Sequence, residues 1–317
     1  MQRRKEGTSA PPVPASLYSA ETLRAFAAGE HEQFLAAGGR PLRPRLARSL
    51  ALAALEPGLV VADVGSGRGE AAAHSHRRGA IVIAVDYSLQ ALRMACETVG
   101  TVQREARQQH PAPWLALAAD ATALPIATAA VDRVLLLDII EHLHPWQVSS
   151  LLDEVRRILR PSGYVVIHTL PNRWALAAAY PLLRLWAWRL PADARSRYER
   201  AVHVNEQDPL GLRRTLQRAG LTARVWVEEW TTVYAARGRG RDYPDRTRSE
   251  GYEVLRSSTV QLVAGAAMRT PARWFVGNDL FALAWKPGHP GPPATGRFAP
   301  LRRSLAVSAP RSRRGVR

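Results

Sequence analysis

Apolar and polar positions alternate along this chain in two periods, and the places where one period gives way to the other divide it into elements. Val60–Val64 is a short apolar run rich in valine, and residues 71–78 follow it with helical spacing. The exchange recurs twice: residues 81–85 predict a second strand and 89–107 a second helix, and after the break at His110-Pro111-Ala112-Pro113, Trp114–Ala118 predicts a third strand. Val131–Leu137 is apolar enough to be a central strand buried on both faces. A helix over 146–159 stops at Arg160-Pro161-Ser162-Gly163, and a fifth strand resumes over 164–168. Strands that alternate with helices imply an α/β fold, with a parallel sheet and right-handed crossovers.

The flanks read differently. Residues 1–16 are proline-rich, which predicts disorder. Helical patterns over 20–35 and 43–55 then lead into the first strand, parted by Gly38-Gly39-Arg40-Pro41. With 317 residues and 46% hydrophobic content, the chain can bury one substantial core. Its single cysteine, Cys96, excludes internal disulfides and cysteine-based zinc sites, and its helical surroundings predict a small buried residue. The formal net charge is +17, but seven arginines from Arg297 to Arg317 and the trio Arg3, Arg4 and Lys5 supply much of it, which predicts solvated ends. No secretory signal or spanning apolar run is evident, so a cytoplasmic protein is expected, with membrane association as a second expectation.

The most informative run is Val60-Val61-Ala62-Asp63-Val64-Gly65-Ser66-Gly67-Arg68-Gly69-Glu70. A strand ends in an acid, alternating glycines allow a tight turn against which a ligand can lie, and the following helix start offers unpaired N–H groups. A dinucleotide fingerprint would place its third glycine where Glu70 stands, and a carboxylate is a poor neighbour for a pyrophosphate. The acids suit a cationic, phosphate-free cofactor instead, and S-adenosylmethionine is one.

With Asp86 closing the second strand about twenty residues past that loop, the segment 42–287 resembles the class I S-adenosylmethionine-dependent methyltransferases. The resemblance implies a Rossmann-like fold of seven strands with helical insertions, the sixth and seventh strands falling at 223–230 and 280–285. It implies a methyltransferase domain over 17–287, with insertions near 174–202 and 235–278, between the 1–16 terminus and a disordered basic tail at 288–317. It further implies a cofactor site of Asp63, Gly65, Ser66, Gly67 and Gly69, with Asp86 and Tyr87 at the ribose and Asp120 and Ala121 at the adenine. Asp132, opening the fourth strand, is read as structural.

Asp138-Ile139-Ile140-Glu141-His142-Leu143-His144-Pro145 falls at the carboxyl edge of the sheet, where open α/β folds bind ligands. Its Glu-His-Leu segment, and His168-Thr169-Leu170-Pro171-Asn172-Arg173 further on, resemble the small-molecule branch, similar to ubiquinone-type O-methyltransferases. That likeness implies Asp138 beside the cofactor, and Asp138, His142 and His203 as candidates for catalysis. Two acids and two imidazoles in one loop could deprotonate a hydroxyl or hold a divalent metal, and capping is the plainer role for His142 and His203; the reading adopted has no metal. The motifs of nucleic-acid methyltransferases are missing, so the expected partner is a small-molecule or lipid-linked acceptor, methylated at oxygen. An RNA substrate for the basic ends, and a membrane-peripheral binding protein with a vestigial site, are the alternatives. Acceptor identity and oligomeric state cannot be read from the chain. Residues 174–190, with Trp174, Trp186, Trp188 and two arginines, predict an interfacial lid, or a cap over the site.

Overall fold

The computed structural model describes residues 10–19, 21–23, 30–39, 42–106, 112–186, 192–193, 195, 197–230 and 258–292. Seven strands form one sheet in the order β3-β2-β1-β4-β5-β7-β6. They are β1 Val60–Val64, β2 Ile81–Asp86, β3 Trp114–Ala118, β4 Val131–Leu137, β5 Leu159–Thr169, β6 Thr222–Trp230 and β7 Gly277–Trp285. The first five pair in parallel, and β7 runs antiparallel between β5 and β6. The expected Rossmann-like architecture is therefore present, with β4 and β1 central. Their buried side chains face two apolar layers, one including Val134, Leu136, Leu151 and Ile167, the other Val61, Leu135, Val166 and Phe281.

Helices cover the sheet: α1 Glu30–Ala36, α2 Pro44–Ala53, α3 Glu70–Arg77, α4 Leu89–Ala106, α5 Pro145–Ile158, α6 Tyr180–Trp186, α7 Arg197–Val202, α8 Pro209–Arg218, α9 Ser258–Ala267 and α10 Arg273–Val276. Arg48 on α2 clasps Glu228 on β6 through hydrogen bonds of 2.8–3.0 Å, fixing a leading helix against the far end of the sheet. No helix among the described residues is long and apolar enough to cross a membrane.

Several expectations need correction. Cys96 is exposed, because α4 turns Ala95, Val99 and Val102 inward and leaves Cys96 beside Glu97 on the outer face. β5 begins at Leu159 rather than at 164, since the Pro161-Ser162-Gly163 stretch forms an irregularity inside the strand, where the register against β4 shifts between Val131 and Arg133. Residues 10–16 are docked on the domain rather than disordered: Val13 is buried, and the Trp146 indole donates to the Ala10 carbonyl at 3.0 Å. Prolines here hold the chain extended without requiring donors, so a composition that suggests disorder also suits a pre-stiffened strap. At the other end, residues 288–292 fold back, with the His289 ring on the Ser162 carbonyl and Gly291 against Trp285. The remainder of both termini, and 231–257 within the second insertion, lie outside the described residues.

Candidate functional site

The cofactor half of the site grows from the β1–α3 turn. Gly65 and Ser66 donate their N–H groups to the Val85 carbonyl at 2.8 and 3.0 Å, tying the turn to β2. Gly65, Gly67 and Gly69 all have left-handed backbones, but for different reasons. A Cβ on Gly65 would stand 2.6 Å from Ile139, and one on Gly69 2.7 Å from Ala95, so these two are glycines because protein packs on them. Gly67 alone faces open space, with nothing within 4 Å of where its Cβ would be. Of the three, Gly67 is the one whose backbone is left open.

Asp86 accepts from the Gly67 N–H and the Ser88 N–H, each at 2.9 Å, and burial raises its carboxyl above the ordinary range. It anchors the loop, and its remaining lone pairs are available to vicinal hydroxyls. Asp63 is 2% exposed, and burial together with nearby Asp86 pushes it up to about 7. Its Oδ2 and the hydroxyl of Ser66 are buried with no hydrogen-bond partner among the described residues. Buried oxygens without a partner fit a group that brings its own donors, such as an ammonium. Glu70 pairs with Arg68 at 2.9 Å, so its charge is compensated within the loop. Asp120 accepts from both the N–H and the hydroxyl of Thr122 at 2.8 Å, the turn-capping geometry, with Ala121 half-buried beside it. Tyr87 is 41% exposed and donates its phenol to the Val13 carbonyl.

A second cluster, the candidate acceptor half, lies at the end of β4. Asp138 takes a left-handed backbone, φ 57°, which turns it out of the strand. Arg45 on α2 donates to its Oδ2 at 2.7 Å, and the buried His168 ring of β5 pairs with its Oδ1. Burial opposes charge on both partners, yet Arg45 and His168 hold the Asp138 carboxyl well below its usual range, and Asp138 with Asp279 pushes His168 up to about 9. Asp138 is thus an occupied counter-ion, paired on both of its oxygens.

A short 3₁₀ turn, Ile140–His142, follows. Glu141 is buried, accepts from the Thr169 hydroxyl at 2.7 Å, and is raised to about 8 by burial and by Asp138, so it is largely protonated near neutrality. Its carbonyl accepts from the Val204 and Asn205 N–H groups, which brings the His203 segment to this edge. The His142 and His203 rings meet edge to face at 4.8 Å, while burial and then His203 lower His142 to about 3. The ring is neutral and weakly basic, so it cannot strip a resting alcohol. Glu141, His142 and His203 offer ligand atoms within 4.8 Å of one another, the group among the described residues that could receive a cation. His144 caps α5 instead, in a capping box with Gln147.

Sequence reasoning missed Tyr18, Arg45 and Thr169, and gave His168 no role. Tyr18 bonds His142 across 124 positions, a separation that leaves no local signal. In the insertion, a π-helical turn Ala175–Ala179 leads into α6, whose Leu182 and Leu185 are 66% and 83% exposed, and Trp174 stacks on Phe275 at 5.2 Å.

Residues 62–167 match the family described as Methyltransferase domain. The chain is 31% identical over 182 residues to the biotin biosynthesis bifunctional protein BioHC of Cellvibrio japonicus, covering 56% of this chain and 30% of that protein. It thus spans under a third of that relative's length. The demethylmenaquinone methyltransferase of Thermobifida fusca is 28% identical over 198 residues, covering 58% of this chain and 78% of that one. Among solved structures, phosphoethanolamine N-methyltransferase 2 of Haemonchus contortus, in complex with phosphomonomethylethanolamine and S-adenosylhomocysteine, superposes with a TM-score of 0.53 at 17% identity, over 86% of this chain and 58% of that one.

Proposed function

The chain carries a methyltransferase domain of the class I S-adenosylmethionine-dependent family, and on that premise we propose that it transfers a methyl group to the oxygen of an apolar small-molecule or lipid-linked acceptor. The observation that supports this reading best is the contrast in charge across the site. Unpaired acidic oxygen waits at Asp63, whereas Glu141 and His142 are neutral at the acceptor edge. Asp63 would take the cofactor's ammonium, Asp86 its ribose hydroxyls, the Gly67 backbone its body and the turn at Asp120 and Ala121 its adenine.

When bound, the cofactor supplies an electrophilic sulfonium methyl. The chain then has to hold an acceptor in line with it, which can contribute roughly 7–11 kcal/mol of the barrier reduction. Little charge stabilisation is required, because positive charge is dispersed in the displacement. An acceptor oxygen becomes strongly acidic only as the methyl arrives, and the weakly basic His142, backed by His203, suffices to take that late proton. The exposed leucines of α6 fit a lid that meets an apolar acceptor or a headgroup layer. The relative named as a demethylmenaquinone methyltransferase agrees with a small-molecule acceptor.

The test is transfer from methyl-labelled cofactor to lipid, quinone, glycan and RNA fractions, the lipid and quinone presented in anionic vesicles. Label is expected in the organic phase as alkali-stable ether. Label in RNA, or none in any fraction, would sink the acceptor assignment, and unchanged transfer in Leu182→Glu with Leu185→Glu would remove the lid from it.

A further inference from the structure

Residues 10–18 form a strap across the carboxyl edge of the sheet, and its anchors come from both halves of the site. Besides Trp146 on the Ala10 carbonyl, the Tyr87 phenol donates to Val13 at 3.0 Å, the Tyr198 phenol to Leu17 at 3.2 Å and the Ser88 hydroxyl to Tyr18 at 3.1 Å, each onto a backbone carbonyl. Tyr18 adds a side-chain contact of another kind, its hydroxyl lying 3.0 Å from His142 Nδ1. The Tyr18 ring also meets Tyr87 at 5.7 Å and His142 at 5.6 Å, both edge to face. One side chain therefore spans from the residue after Asp86 to the imidazole of the acceptor edge.

Which partner carries the shared proton depends on the ring's tautomer, but in either form the phenol occupies Nδ1. While the strap is down, nothing else can bond Nδ1.

We propose that Tyr18 is a positioning residue of the methyl-transfer site, latching the strap over cofactor and acceptor pockets at once and fixing the His142 ring through Nδ1. Release of the spent cofactor and entry of an acceptor then both require the strap to lift. The inference rests on the methyl-transfer reading above for the identity of the cofactor, but the Tyr18–His142 bond stands on its own geometry.

The experiment uses the full chain and S-adenosylhomocysteine as the probe. Displacement of tritiated S-adenosylhomocysteine by unlabelled excess is followed in wild type, Tyr18→Phe, Tyr198→Phe and a chain lacking residues 1–19, with nitrogen spectra of ring-labelled histidine recorded without ligand. Tyr18→Phe is expected to release the probe at least about tenfold faster at an unchanged melting temperature, and to shift the His142 Nδ1 resonance toward that of an unbonded ring nitrogen. Tyr198→Phe, which loosens the strap without touching His142, should speed release and leave that resonance in place. Removing 1–19 should match or exceed Tyr18→Phe. Release within twofold of wild type in both Tyr18→Phe and the shortened chain, or an unmoved His142 resonance in Tyr18→Phe, would overturn the proposal while leaving the methyl-transfer reading intact. Failure of wild type to bind the probe would overturn that reading, and the latch with it.

Discussion

The two halves of the site are built by opposite means. In the cofactor half, backbone does most of the holding: three left-handed glycines, two N–H groups on Val85, and an acid that grips the loop it borders. The proposed acceptor half is made of side chains from Tyr18, Arg45, Asp138, Glu141, His142, His168 and His203, with Glu141 and His168 fully buried. A backbone cradle depends on a few residues close in sequence, and only the acids that border it respond to pH. A side-chain cluster depends on tertiary placement, and its protonation is set by what packs on it.

The largest effect that would break this contrast is expected in the cradle. Gly67→Val places methyls in the open space beside the loop and forces a β-branched residue into a left-handed backbone, so S-adenosylhomocysteine binding should fall below detection by calorimetry. Asp86→Ala should cost one to two orders of magnitude, since each charge-assisted bond contributes about 1.5–3 kcal/mol. Unchanged affinity in both variants would remove the cofactor assignment.

A middle effect concerns stability. The folded pKa of His168, about 9, lies above its ordinary 6.5, so its pairing with Asp138 stabilises fully below about pH 6.5 and is lost as pH rises through 9. Melting temperature should therefore drop between pH 7 and 9.5. His168→Gln should flatten that drop and lower stability at pH 6 by about 3 kcal/mol, because Asp138 loses a buried partner. An equally steep alkaline drop in the variant would relocate the effect.

The smallest effect sharpens the cradle itself. Asp63, raised to about 7, is half protonated at neutrality, and an ammonium prefers its ionised form. Affinity for S-adenosylhomocysteine should rise severalfold from pH 6 to 8, and Asp63→Asn should remove the slope. The same carboxyl without ligand works against stability, which is highest below its unfolded pKa near 3.8 and declines until pH passes 7.

Legibility follows the same division. β3 and β4 match their predicted spans: β4 is buried in a parallel sheet and carries its signal in a continuous apolar run, whereas β3, a half-exposed edge strand, is marked off by the prolines before it. Asp86 and the glycine turn could be found because strand, loop and acid keep a fixed order along the chain. His142 stood out by local spacing, but nothing near it announced that its pKa would fall or that Asp138 would be held ionised between two cationic partners. Those outcomes belong to Arg45, His168 and His203, which only the folded sheet brings together. The proline-rich strap was misread for a related reason: composition reports what a segment cannot bury, and says nothing of carbonyls that a neighbouring surface can hold.

The strap's attachment has a consequence for how such a protein could diverge. Its hydrogen bonds to Trp146, Tyr87, Tyr198 and Ser88 all use main-chain oxygen, which every amino acid supplies. Apart from the buried Val13, side chains along positions 10–17 can therefore drift while the strap keeps its course. Tyr18 is the exception, the one position of the strap whose chemistry the site itself reads.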